Sequence, residues 1–262
     1  MKICTVRTGL LAAAASALAS SAFAGPAIGL VGDRTLVMFD TASPAVTATM
    51  EVSGVESLVG IDVRPGDSKL YGVGADGTIV TIDTATGAAT PGAKLSTSLE
   101  AGAAGMVDFN PAADRLRIMG VDGTNLRANV DTGEVTVDGK LNFEPGDANA
   151  SAEASVVATA YTNSVGKPEA TAMYDIHAGL GALLRQTKPN DGTLATIGML
   201  GIEGAETFAF DIESRAVDDN TAWLVAGNGL YTVDLGSGAA TMVGEITGVD
   251  GAIRDIAILP AM

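Results

Sequence analysis

The chain has 262 residues and carries 31 Asp and Glu against 15 Lys and Arg, a formal charge of −16. So acidic a chain repels phosphate backbones, which excludes nucleic acid as an expected partner. Its single cysteine, Cys4, allows no internal disulfide and no cysteine metal cluster.

Residues 1–24 read as a secretory signal peptide: cationic Lys2 and Arg7, an alanine-rich apolar run over residues 9–19, and Ala22-Phe23-Ala24 ahead of Gly25. The run is too short for a membrane span, and no later stretch offers about 18 consecutive apolar residues. One soluble, monomeric domain over residues 25–262, periplasmic or secreted, is therefore expected. Removing Lys2 and Arg7 takes its formal charge from −16 to −18. That charge serves solubility, or it attracts cations.

From residue 27 the pattern is strand and tight turn throughout. Residues 27–31, 35–40 and 46–52 form three predicted strands, separated by Gly32-Asp33 and Ser43-Pro44. Residues 58–95 then hold four strands, with turns at Pro65-Gly66, Asp76-Gly77 and Thr86-Gly87. Asp-Gly favours the tight hairpin because the central residues of a type I′ turn need φ > 0. A four-stranded meander cannot cover both its faces, so it implies neighbours of its own kind. The second copy, residues 106–141, keeps register with the first at a spacing of 46, pairing Asp62 with Asp108, Pro65 with Pro111 and Gly77 with Gly123.

Residues 143–154 are small, polar and interrupted by proline, and read as a loop. The third copy is the most diverged, with strands over 156–162, 171–176, 182–186 and 194–200, and a turn at 177–181 in place of Asp-Gly. The fourth copy spans 207–246, with Asn228-Gly229 and Ser237-Gly238 as turns. One more first-strand pattern follows, Arg254-Asp255-Ile256-Ala257-Ile258. A lone C-terminal strand, in a chain whose N-terminus lacks only that strand, implies that the two ends share one sheet and close a ring. The expected fold is an all-β, five-bladed β-propeller of four-stranded antiparallel blades, about 48 residues each. An open solenoid or a sandwich leaves the terminal halves unmatched, and a sixth blade would need a further unit within residues 143–204.

The aligned first strands carry Asp62, Asp108, Asp211 and Asp255, so four blades bring a carboxylate to the central channel; the third has Ala160-Tyr161-Thr162 there. Converging carboxylates suit a hard cation such as Ca²⁺. A recurring Asp equally suits hydrogen bonds to backbone amides of the next blade. The second blade is unusual in its arginines. Arg115 and Arg117 alternate on one strand, and Asn125, Arg127 and Asn129 on the next; if the hairpin register puts both sets on one face, they form an anion-binding patch. The alternative is pairing with nearby aspartates such as Asp108 and Asp114. His177, the single histidine, is expected in a solvated turn, and Trp223 and Tyr231 in packing between blades. There is no nucleophile elbow, phosphate loop, zinc-protease helix or dinucleotide fingerprint.

The run Val107-Asp108-Phe109-Asn110-Pro111, continued by Asp114-Arg115-Leu116-Arg117 and Asn125-Leu126-Arg127, resembles the signature of a bacterial exported propeller-like family, domain of unknown function 4394. Val59-Gly60-Ile61-Asp62, Tyr161-Thr162-Asn163 and Leu230-Tyr231-Thr232-Val233-Asp234 fit it too, so the likeness covers nearly the whole mature chain. It implies a fold and no activity. The expected function is an exported, non-catalytic binding or protein-interaction module for a small molecule, a glycan or a protein. The alternative is a hydrolase or lyase centred on the channel and acting on an anionic small molecule or sugar, which needs Arg115, Arg117 or Arg127 in an open pocket beside an unpaired carboxylate.

Overall fold

Short alternating runs bounded by turn residues become strands, and the computed structural model describes residues 25–260. The expected leader, residues 1–24, lies outside the described residues. The closing blade begins with β1 (Pro26–Val31), β2 (Thr35–Asp40) and β3 (Ser43–Glu51). The first full blade holds β4 (Leu58–Arg64), β5 (Lys69–Gly74), β6 (Thr78–Ile82) and β7 (Ala89–Lys94), and the second β8 (Gly105–Asn110), β9 (Arg115–Gly120), β10 (Asn125–Ala128) and β11 (Val135–Val137). The third holds β12 (Asn142–Phe143), β13 (Ala158–Tyr161), β14 (Met173–His177), β15 (Ala182–Lys188) and β16 (Thr193–Met199). The fourth holds β17 (Phe208–Ala216), β18 (Asp219–Ala226), β19 (Gly229–Val233) and β20 (Ala240–Glu245), and β21 (Ile253–Ile258) ends the series.

The five sheets form a closed five-bladed propeller. β21 pairs antiparallel with β1, setting Ala257 opposite Ile28 and Ile256 opposite Gly29, so the closing blade runs β21-β1-β2-β3. The complementary chain ends meet as their patterns require. Inner strands are buried on both faces because neighbouring blades flank them, whereas outer strand β3 alternates between exposed and half-buried positions. The core therefore lies between blades. Trp223, Val225 and Leu230 of the fourth blade pack with Val37, Ile253 and Ile256 of the closing blade. Tyr71 of the first blade meets Phe109 of the second edge to face, ring centroids 5.4 Å apart.

Much of the acidity is turn chemistry. Asp83 accepts N–H bonds from Ala85 and Thr86 at 2.8 and 3.1 Å ahead of Gly87, whose φ of +72° closes the turn; Asp234 does the same ahead of Gly238. These amides hold both carboxyls below the ordinary range, Asp234 with the Ser237 hydroxyl as the first cause.

The third blade corrects two expectations. Phe143, expected at the start of the loop over 143–154, forms with Asn142 a short strand parallel to β16 and gives this blade a fifth strand. His177, expected in a solvated turn, ends β14 and is 5% exposed. Its Nε2 donates to the Glu153 carbonyl at 2.8 Å and its Nδ1 accepts from Leu180 N–H at 3.2 Å. The ring stacks on Phe143. The short β12 and its following loop cover the imidazole, and nothing in a local turn reading could supply that lid. Among the described residues, no helix is long and apolar enough to cross a membrane.

Because β21 is the inner strand of the closing blade, truncation before Ile253 leaves β1 with an open inner edge and two neighbouring blades uncovered. The expected outcome is loss of the single cooperative thermal transition, checked by circular dichroism on residues 25–252 and 25–262.

Candidate functional site at the centre of the ring

The five inner strands run in the same direction around the axis, and their aspartates reach sideways. Asp62 accepts from Phe109 N–H of the second blade and from its own neighbour Val63, both at 2.6 Å. Asp108 accepts from Tyr161 N–H of the third blade at 3.0 Å. Asp211 accepts from Ile258 N–H of the closing blade at 2.6 Å, and Asp255 from Ile61 N–H of the first blade at 2.8 Å. Each carboxylate thus clasps the backbone of the following blade. Gly60 makes the last clasp possible, since a Cβ there would stand 2.5 Å from the Asp255 carboxylate. The third blade gives no carboxylate because Ala160 occupies the matching position. Its bond to the fourth blade is an amide and hydroxyl zipper instead: Asn163 N–H to Asn220 Oδ1 at 2.8 Å, Asp218 N–H to Asn163 Oδ1 at 2.8 Å, and Ser164 N–H to Ser214 Oγ at 2.9 Å.

Burial of these carboxylates raises their pKa values. Asp211 is pushed up to about 6 and Asp255 to about 8, burial being the first cause of each. Asp62 and Asp108 also lie well above the ordinary range, through burial and then the charge of neighbours, Asp211 for the former and Asp62 for the latter. Asp62, Asp108 and Asp211 each offer an oxygen within 4.8 Å of the others, a spacing that oxygen ligands of one Ca²⁺ adopt; Asp255 stands outside this triad.

A cavity of about 300 Å³ opens where the inner strands end. Its floor is Asp62 and Asp211, its polar rim Ser68, Ser164, Ser214 and Glu213, and its apolar wall includes Pro65, Leu259 and Pro260. The non-glycine residues with positive φ among the described residues, Ser68, Asp114, Asn163 and Asp218, all sit in the inner hairpins of this end, one in each blade but the closing one. All four are hairpin-turn positions, and Asn and Asp are the non-glycine residues that tolerate the left-handed region best.

The second-blade residues form a different assembly. The register sets Arg127 opposite Arg117, so the two share a face. Asp138 bridges them, at 2.5 Å from Arg117 Nη1 and at 2.6 and 2.9 Å from Arg127 Nε and Nη2. Arg117, 1% exposed, also donates to Tyr161 Oη, Asn125 Oδ1 and Asn190 Oδ1. Asn125 donates in turn to the carbonyls of Gly139 and Pro189. Asn129 accepts from Asp131 N–H in the next turn, and Arg115 donates to the carbonyls of Ala113 and Asp114. The bridging carboxylate is thus Asp138, while Asp114 pairs with Arg64, which also binds Asp131. Period-two reading could not place Asp138, which follows the three-residue strand β11.

Asp175 on β14 is fully buried with the Thr159 and Gln186 side chains as its polar neighbours, and no hydrogen bond of good geometry reaches either of its oxygens or Gln186 Oε1 among the described residues. Burial pushes Asp175 up to about 7. Below that value a proton on Asp175 gives it one O–H donor to offer Gln186, its other oxygen remaining an acceptor.

A five-bladed ring clasped by inner-strand carboxylates, with a cavity at the end of the channel, defines the structural class. The chain belongs to the family described as a domain of unknown function (DUF4394), whose model matches residues 35–257. No curated protein matches the chain. Among solved structures, it is similar to a protein of unknown function from Bacteroides thetaiotaomicron, with 17% identity and a TM-score of 0.51, over 93% of this chain and 68% of that one. It is also similar to an auxiliary nutrient binding protein from Bacteroides thetaiotaomicron, with 11% identity and a TM-score of 0.46, over 75% of this chain and 56% of that one. A third, of unknown function from Bacteroides caccae, is 11% identical with a TM-score of 0.41, over 83% of this chain and 72% of that one. At these identities the likeness concerns the fold.

The raised carboxyls set the direction of the pH dependence. A folded pKa above the unfolded value of about 4 means that the native state holds protons the unfolded chain has released. Stability is then greatest near pH 4–5 and falls as pH rises to about 8, where Asp255 ionises. Thermal melts are expected to drop by about 5 °C or more from pH 5 to pH 8.5. Asp175→Asn, which carries a donor at every pH, is expected to raise Tm at pH 8.5 and to flatten that slope. A Tm rising with pH contradicts the assignment.

Proposed function

We propose that the chain is an exported, non-catalytic binding module, working as a monomer in the periplasm or outside the cell, whose ligand enters the cavity at the end of the inner strands. The observation that carries this reading is the cavity itself. Three serine hydroxyls and three carboxylates surround about 300 Å³, with an apolar wall on one side. Hydroxyl groups and carboxylates are the partners of a polyol, and an apolar wall fits the C–H face of a pyranose, so a mono- or disaccharide is the ligand class. The arginines of the second blade support binding over catalysis, because Arg117 and Arg127 are held by Asp138.

Calorimetric titration of the mature protein with a panel of neutral mono- and disaccharides is expected to show saturable binding by at least one. Val165→Trp, a half-buried rim position, is expected to abolish it without lowering Tm. Absence of binding across the panel, or binding untouched by the tryptophan, overturns the reading.

The same reading takes Asp62, Asp108 and Asp211, with Asp255 beside them, as ligands of a hard cation below this cavity. The supporting observation is the 4.8 Å triad, in which Asp108 accepts a single hydrogen bond while Asp62 and Asp211 each accept two. Ca²⁺ at millimolar concentration is then expected to raise Tm at pH 8 by several degrees, and Asp108→Asn to remove the rise. A Tm indifferent to Ca²⁺ leaves the ring as a clasp alone.

A further inference from the structure

A second cavity, of about 420 Å³, lies at the opposite end, where the inner strands begin. The two ends follow from the lining: Leu58, Val59, Gly105 and Phe208 open their strands here, whereas Val63, Ile212 and Ile258 face the cavity described above. Its size falls within the range of small-ligand pockets, about 300–1,000 Å³. The wall is apolar, with Val59, Ala103, Val157 and Phe208. Three charged residues complete it: Arg254, Asp33 and Glu206.

Arg254 is fixed by carbonyls rather than by a contacting carboxylate, while Asp255 and Asp33 act on it through their charge from beyond contact. Its Nε donates to Gly32 O at 2.6 Å, Nη1 to Val59 O at 2.8 Å, and Nη2 to Leu58 O at 2.6 Å and to Asp33 O at 3.5 Å. Carbonyl dipoles orient the guanidinium and leave an Nη1 N–H to spare. Among the described residues no carboxylate lies within ion-pair distance of it, in a chain with twice as many acids as bases. Asp33 and Glu206 line the same cavity and, among the described residues, form no contact ion pair either, Asp33 acting on Arg254 only through its charge. One cation and two anions held apart around an apolar hollow match a ligand that carries both charges and an apolar group.

We propose that this end of the channel binds a free α-amino acid with an apolar side chain, its carboxylate on Arg254, its ammonium toward Glu206 and Asp33, and its side chain against Val59 and Phe208. A zwitterion has no net charge, so the strongly negative chain does not repel it as it would a simple carboxylate. The site is separate from the saccharide cavity and stands or falls independently of it.

The test is calorimetric titration of the full mature protein with L-leucine and with two analogues that each lack one charge, 4-methylpentanoate and 3-methylbutylamine. Leucine is expected to bind saturably, and each analogue at least tenfold more weakly. Arg254→Gln also loosens the carbonyl clasp, so the deciding variant is Ala104→Trp, at an exposed rim position whose indole fills the cavity. It is expected to abolish leucine binding while leaving Tm and saccharide binding unchanged. Glu206→Gln is expected to weaken leucine and leave 4-methylpentanoate unaffected. No heat with leucine, equal affinity for leucine and either analogue, or leucine binding retained in Ala104→Trp overturns the proposal.

Discussion

The hydrogen bond from an inner-strand carboxylate to the backbone of the next blade is the interaction on which the ring depends. A blade can pack its faces on its neighbours by apolar contact alone, but apolar contact is non-directional and sets neither height nor rotation. Asp62, Asp108, Asp211 and Asp255 set both, because each bond joins a side chain of one strand to a chosen amide of the next. Each such bond contributes about 0.5–1.5 kcal/mol while the carboxyl is protonated and about 1.5–3 kcal/mol once it is ionised. Burying several carboxylates in one narrow space opposes them, and the raised pKa values are the physical trace of that opposition.

Where the ring lacks an aspartate, the chain uses another device. Between the third and fourth blades, Asn163 and Asn220 exchange neutral amide bonds and Ser164 meets Ser214. Amide and hydroxyl groups hold the joint without adding a fifth carboxyl to the centre. The serines of that zipper also rim the cavity, so the joint between two blades and the candidate binding surface are built from the same residues.

The second blade shows how a patch that looks suited to an anion acquires an internal one. Arg117 and Arg127 sit face to face, and two guanidinium groups so placed need a shared carboxylate; Asp138 provides it, with Asn125 and Tyr161 completing the donors' partners. At the far end of the channel, Arg254 is held by carbonyls, with no carboxylate among the described residues in contact with it. The same side-chain type is thus bridged by a contacting carboxylate in one place and clasped by carbonyls beside a cavity in the other, and the difference lies in which neighbours the ring brings to it.

The architecture was legible in the sequence because it is written in local, repeating terms. Turn residues at fixed offsets define the strands, a 46-residue register defines the blades, and the complementary chain ends define closure. Asp62, Asp108 and Asp211 were legible for the same reason, as one position seen three times, whereas Asp255, aligned with them in the sequence, lies earlier along its strand: Asp211 bonds to Ile258 N–H, three residues beyond Asp255, and Asp255 reaches Ile61 beside Gly60. What repetition does not encode only the tertiary structure decided: Asp138 as the partner of two arginines, the burial of His177 under β12, the Asn163–Asn220 zipper, and the two cavities at the channel ends. Each of these joins residues from different blades or from the irregular segments between them. Their meeting depends on how five twisted sheets close around an axis, and a one-dimensional pattern carries the period of that closure but not its geometry.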